Sequence, residues 1–229
     1  MSGSRYAICF APEKGSALEA LGQSWLGLAG QQPTVAGIKP ERLTEITRGP
    51  RSYGGMHGTL KPSFELNPHA TEKALLAVAH RIAASLAPIA LPPLELREIG
   101  YIVSLVPETS SASLENLAAG CVRAFDGYRR PLTSQEEDSY RRNRLTVHQK
   151  QMLEHWGYPY VMEEFDFHVS LTDPIPDDNE RMAVMKAVEK IAAPVLNKSL
   201  VMQELAVFCQ RAHAQPMSII ARIPFGRRA

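Results

Sequence analysis

Two short phrases decide the reading of this chain: His57-Gly58-Thr59-Leu60 in the first third and His168-Val169-Ser170-Leu171 near the end. Each sets a histidine and a hydroxyl residue two positions apart and follows them with leucine. In a β-strand, residues i and i+2 point to one face, so each phrase presents an imidazole beside a hydroxyl and turns the leucine to the opposite, buried face. Two such pairs on one cleft supply two proton-transfer groups and two hydroxyl donors, a set suited to cleaving a phosphate ester without a metal. The bare His-x-Ser/Thr pattern is weak in a chain with seven histidines, and a third match exists at His69-Ala70-Thr71. That match falls in the first turn of an expected helix and runs into Glu72, so it reads as a capping region.

Working outward, residues 6–10 read as a buried strand stopped by Pro12, and 15–28 as a helix with Leu18, Leu21, Trp25 and Leu28 on one face. Residues 30–54 read as loop with one short helical turn after Pro40. A strand over 56–64 carries the first phrase. Asn67-Pro68 signals a helix start, running to 86 with Leu75, Val78, Ile82 and Leu86 aligned. Strands at 94–99 and 101–106 flank Gly100, and a helix follows over 113–125. Residues 127–157 form a polar, basic, helix-prone insertion. A long strand over 160–172 carries the second phrase and is stopped by Pro174. A helix opens at Asp177-Asp178 with Met182, Met185, Val188 and Ile191 at threefold spacing, and strands over 200–209 and 217–225 close the chain.

The order strand, phrase strand, helix, strand surrounds each phrase, and the two histidines are 111 residues apart in a chain of 229. This is the pattern a duplication leaves. It predicts an α+β fold of two pseudo-symmetric lobes, each an antiparallel sheet with helices on its outer face, meeting at a central cleft. Residues 1–229 then form one bilobal domain with a helical insertion at about 127–157.

Composition narrows the function classes. A formal net charge of +1 gives no global electrostatic case for nucleic-acid or membrane binding, so any phosphate preference is local. The three cysteines, Cys9, Cys121 and Cys209, are far apart, lack metal-ligand spacing and sit among apolar neighbours; they read as reduced core residues of a cytoplasmic protein. No apolar run approaches the ~20 residues of a membrane span. Met1-Ser2-Gly3-Ser4-Arg5 carries no signal-peptide pattern.

Further stretches carry a family resemblance: Arg5-Tyr6-Ala7-Ile8 with Phe10-Ala11-Pro12, Trp25-Leu26-Gly27, Tyr53-Gly54, Thr59-Leu60-Lys61-Pro62 with Phe64, Arg141-Arg142, Gln149, Leu153, Trp156-Gly157-Tyr158-Pro159-Tyr160-Val161, and Phe165, Phe167 and His168 with Leu171. Together with the phrases they resemble the 2H phosphoesterase superfamily, and within it a bacterial branch associated with phosphonate metabolism. The branch usually reads Tyr-Gly-Phe-His, whereas here Gly55-Met56 separate Tyr53-Gly54 from His57. One extra strand residue flips side-chain parity unless a bulge absorbs it. Ser170 stands for a commoner threonine, and Asp166 stands where the branch implies a basic residue.

The resemblance implies hydrolysis of a small cyclic phosphodiester, ribosyl or nucleoside, with His57 and His168 as general base and general acid in an order the sequence leaves open. Thr59 and Ser170 would bind the phosphoryl oxygens. Tyr53, Lys61, Arg141, Arg142 and Tyr158 are the candidate substrate-pocket residues. Lys61 shares strand parity with His57 and Thr59, and the arginines suit a lid over an anion. No metal or cofactor is expected, and the expected partner is a small phosphorylated substrate. Two alternatives stay open: an RNA-end 2′-5′ phosphodiesterase or ligase, and a nucleotide or cyclic-phosphate binding module without turnover. An aromatic content of 7% argues against long RNA contacts. His148, His155 and His213 lack a partner pattern and read as structural or surface residues.

Overall fold

A computed structural model describes residues 3–226; Met1 and Ser2, part of the stretch read for a signal peptide, lie outside the described residues. In chain order the elements are β1 (Arg5–Phe10), α1 (Ala17–Trp25), α2 (Pro40–Ile46), α3 (Arg48–Ser52), β2 (Gly58–Glu65), α4 (Glu72–Ser85), β3 (Ile89–Leu91) and β4 (Leu94–Ile99). A second run follows: β5 (Ile102–Pro107), α5 (Ala112–Asp126), α6 (Ser134–Arg141), α7 (Val147–Trp156), β6 (Val169–Ser170), α8 (Asp178–Ala192), β7 (Leu200–Met202), β8 (Glu204–Gln210) and β9 (Ser218–Pro224).

The fold is α+β. Seven antiparallel strands run in the order β4-β5-β6-β2-β1-β8-β9, and β3 pairs β7 in a separate two-stranded sheet. The two runs match element for element: β1 with β5, β2 with β6, α4 with α8, β3 with β7, β4 with β8. Each phrase strand sits beside the strand that begins its own run. The second strand after the following helix crosses over, so β4 joins β5 and β8 joins β1. The halves β4-β5-β6 and β2-β1-β8-β9 meet at the β2/β6 seam, through the pair Gly58↔Val169.

Helices α4 and α5 pack one face of the large sheet, with α1 and α8 beside them. The main core lies there, around Ile8, Leu60, Phe64, Val103, Leu105, Val169 and Leu171. Trp25, fully buried, donates its indole N–H to the Leu171 carbonyl at 2.7 Å and so ties α1 to the end of β6. Cys9, Cys121 and Cys209 are free and buried. All the helices except α2 and α3 start on side-chain caps: Ser16 for α1, Thr71 for α4, Ser111 for α5, Asp177 for α8, and full capping boxes Thr133/Glu136 and Thr146/Gln149 for the two insertion helices.

Several sequence expectations are corrected. The helix expected from Asn67-Pro68 starts at Glu72, because the Asn67 side chain accepts from the His69 N–H at 2.9 Å and makes a turn ahead of the Thr71 cap. Residues 30–54 hold two short helices, α2 and α3. The short strand β3 was not expected, and the strand expected over 200–209 divides into β7 and β8, in different sheets. The long strand over 160–172 shrinks to Val169–Ser170, since Met162 at φ +57° opens a 3₁₀ turn over Met162–Glu164. In α8 the buried residues are Arg181, Val184, Val188 and Ala192, while Met182 is exposed. Threefold spacing precesses by about 60° per step on a helix and cannot hold one face.

No helix of the described residues is long and apolar enough to cross a membrane.

Candidate active site

Both histidines stand one residue ahead of their strands. The seam pairs the residues that follow them, Gly58 and Val169. Carried one residue either way, this antiparallel register sets His57 opposite Ser170 and Thr59 opposite His168. Directly opposed residues share a face, as do residues i and i+2, so the four side chains form one patch. Phe167, Val169 and Leu171 point the other way, into the main core. Gly58 permits the close approach: a Cβ there would lie 2.4 Å from the Phe167 ring.

The two imidazoles are held alike. Nδ1 of His57 is 3.3 Å from the Gly55 carbonyl, and Nδ1 of His168 is 2.8 Å from the Asp166 carbonyl. A carbonyl only accepts, so each Nδ1 carries the hydrogen and each Nε2 is left without a partner among the described residues. Their surroundings differ. His57 stacks on Tyr53 with ring centroids 3.8 Å apart and planes at 14°, and Phe208 lies 5.9 Å away. Burial pushes the His57 pKa down to about 4; the Gly55 carbonyl bond opposes this and the nearby His168 adds to it.

Beside this patch lies a cavity of about 500 Å³ that Thr59 and His168 line directly. Tyr53, Tyr140, Tyr158, Tyr160 and Phe165 supply aromatic walls, Glu164 and Asp166 supply carboxylates, and no lysine or arginine lines it. Tyr140, Tyr158 and Tyr160 meet edge to face at 5.6 and 5.7 Å. Burial pushes the Tyr158 phenol up to about 12 and raises Tyr53 and Tyr140 as well, so these hydroxyls stay protonated. A second cavity, about 590 Å³, shares the Tyr53 wall, but neither histidine lines it.

The residue inserted before His57 leaves strand parity intact. Gly54 at φ +68° and Gly55 at φ +157° absorb it in a turn, β2 begins after His57, and Tyr53 lies back over the imidazole.

Three pocket expectations are corrected. Lys61 is 1% exposed and lies outside the cavity lining, with Nζ donating to the Trp156 carbonyl at 3.4 Å and lying 4.0 Å from Asp126. Register shifts between β1 and β2 break the parity that linked it to Thr59. Burial lowers its pKa to about 8. Arg141 is exposed on α6, pairs with Glu137 at 3.3 Å and does not line the cavity; Arg142 is likewise exposed and outside it. Arg129 and Arg130 are engaged by Asp126 and by Glu65 with Glu136, so the insertion forms no arginine lid.

Tyr140 of the insertion and the tyrosines just after it line the cavity instead. Gly157, at φ +73°, ends α7 in the left-handed conformation; a Cβ there would lie 2.8 Å from the Arg129 guanidinium. The chain then turns so that Tyr158 and Tyr160 line the cavity and Pro159 is buried. Tyr140 and Phe208 escaped the sequence reading, since neither lies in a strand that carries a phrase, and Phe165 entered it only through the family resemblance. His148 lies 3.6 Å from Glu163, His155 packs against Trp156, and His213 is exposed.

A family model described as "Protein of unknown function (DUF1045)" matches residues 59–218. The chain belongs to this family. Among curated proteins it is 33% identical over 240 residues to a Janthinobacterium protein named ribose 1,5-bisphosphate phosphokinase PhnN, covering all of this chain and 53% of that protein. A Laribacter hongkongensis protein of the same name is 27% identical over 177 residues, 76% of this chain and 41% of that one. The chain thus spans about half the length of the curated relatives it matches, or less. Solved structures similar to it include Escherichia coli LigT complexed with NADP+, at 13% identity and TM-score 0.49 over 99% of this chain and 100% of that one. Another is TT0787 of Thermus thermophilus, at 15% identity and TM-score 0.47 over 97% and 98%.

Proposed function

We propose that this member of the DUF1045 family is a metal-independent phosphoesterase of the 2H type that opens a small cyclic phosphodiester. The observation that carries the reading is the Gly58↔Val169 seam, which sets two imidazoles and two hydroxyls on one face. Burial keeps His57 neutral at working pH, which suits the general base. His57 Nε2 takes a proton from water as the water oxygen bonds to phosphorus. The bond from phosphorus to the ribose oxygen breaks, and His168, entering as imidazolium, gives that oxygen its proton. Thr59 and Ser170 hydrogen-bond the non-bridging oxygens and support the charge that grows there.

The name of the curated relatives supports a phosphorylated ribose as the substrate's core. The phosphonate-breakdown setting comes from the family resemblance. The tyrosine walls favour a nucleoside over a bare ribosyl cyclic phosphate, since a base has a face to stack. The absence of lining lysine and arginine, with Glu164 and Asp166 present, disfavours an RNA end as substrate.

The test is an assay of wild type, His57→Ala and His168→Ala on ribose cyclic phosphate, 2′,3′-cyclic nucleotides and 2′-5′-linked dinucleotides, with and without chelator. The expected result is turnover of a cyclic substrate that survives chelation and falls about 10²–10⁴-fold in either variant. Full activity in either alanine variant overturns the paired-histidine mechanism, and loss with chelator overturns metal independence. Tight binding of a nucleotide without turnover selects the binding-module reading.

A further inference from the structure

Ser104, on β5, is fully buried, and its hydroxyl has no hydrogen-bond partner among the described residues. It lies directly opposite Ser170 in the β5/β6 ladder. Its strand neighbours Val103 and Leu105 face the main core, so Ser104 points to the other face, the one that carries the histidines. The matching position in the first run is Cys9, opposite Thr59. There a buried thiol sits opposite the Thr59 hydroxyl in the ladder. In the second run the same position holds a buried hydroxyl without a partner among the described residues.

We infer that Ser104 is a positioning residue for Ser170: once an anionic phosphoryl group is bound, Ser104 donates to the Ser170 oxygen and turns the Ser170 hydrogen toward that group. The inference rests on the proposed role of Ser170. A buried hydroxyl without a partner costs stability in the empty protein. The bond satisfies it when Ser170 orients, and a chain of hydroxyls strengthens each donor along it. Ser104 touches no substrate and acts through Ser170.

The experiment is a double-mutant cycle of Ser104→Ala and Ser170→Ala. It is read in three ways: kcat and KM on the cyclic substrate, inorganic phosphate affinity by calorimetry, and melting temperature. Ser104→Ala is expected to melt at the wild-type temperature or above, while phosphate affinity and kcat/KM each fall about three- to tenfold. In the Ser170→Ala background the same change leaves both unaltered. Ser104→Cys, which copies the Cys9 arrangement, is expected to keep more activity than Ser104→Ala. A lower melting temperature with equal losses in both backgrounds overturns the inference and makes Ser104 a packing residue. Turnover by wild type with additive effects overturns it while sparing the proposed function. Coupling in phosphate affinity without turnover of any substrate has the opposite meaning, and no phosphate binding in wild type overturns both.

Discussion

At the scale of single residues, the site depends on the contrast between His57 and its surroundings. Tyr53 stacked over it and Phe208 beside it exclude water and hold the imidazole neutral. A histidine held at about 4 when folded and at about 6.5 when unfolded binds fewer protons in the native state between those values. Its contribution to stability is complete above about pH 6.5 and is lost as pH falls through about 4. Thermal melts across this window are expected to fall more steeply for wild type than for His57→Gln. The same shift places the acid limb of the kcat/KM profile below pH 6.5. Tyr53→Leu, which removes the stack, is expected to move that limb up toward 6.5. The histidines and hydroxyls were legible in the sequence because strand parity and the phrase identify them, whereas Tyr53 was offered only by the family resemblance. Lys61 was not, because parity fails across a bulge.

At the scale of elements, two glycines set how closely the pieces approach. Gly58 lies beneath the Phe167 ring at the seam. Gly58→Ala is expected to cost about 1–3 kcal/mol by overpacking and to lower activity by parting the two phrase strands. Denaturant unfolding checks the first, and Phe167→Leu in the same chain is expected to recover part of the loss. Gly157 and Lys61 together direct the tyrosine-bearing stretch: one ends α7, the other holds the Trp156 carbonyl against β2. Tyr158→Ala and Tyr160→Ala are expected to raise KM for a 2′,3′-cyclic nucleotide through lost stacking, about 1–3 kcal/mol per base contact. KM for ribose cyclic phosphate is expected to change less. Helices α1 and α5 were legible from their periodicity, whereas α3, the start of α4 and the buried face of α8 were not. The boundaries of β6 were not, because residues 165–171 alternate as a strand does while the preceding 3₁₀ turn takes the backbone out of the ladder.

At the scale of the whole molecule, the two runs exchange strands, since β4 and β8 each complete the other run's sheet, and β3 and β7 pair across the same relation. Neither half of the sequence therefore holds a complete half of the sheet. Residues 1–100 and 101–229 expressed separately are expected to remain unfolded by circular dichroism. Mixed, they are expected to regain the spectrum of the intact chain. Separate cooperative folding of either piece would contradict the exchange. The duplication was legible in the 111-residue spacing of the phrases, but the crossing was not: a strand's sequence shows which face it buries and says little about which neighbour it joins.

The sequence by itself determined the α+β class, the twofold layout, the four chemical groups and the face each occupies, because these follow from local periodicity and from the 111-residue spacing of the two phrases. The tertiary structure alone decided that the four groups meet, because that depends on one pair of residues, Gly58 and Val169, opposing across the seam. It also decided that Tyr140 of the insertion and Tyr158 and Tyr160 just after it line the cavity in place of arginines. The physical reason is common to both: long-range register, bulges and left-handed turns determine where a side chain ends up, and a one-dimensional pattern carries them only weakly.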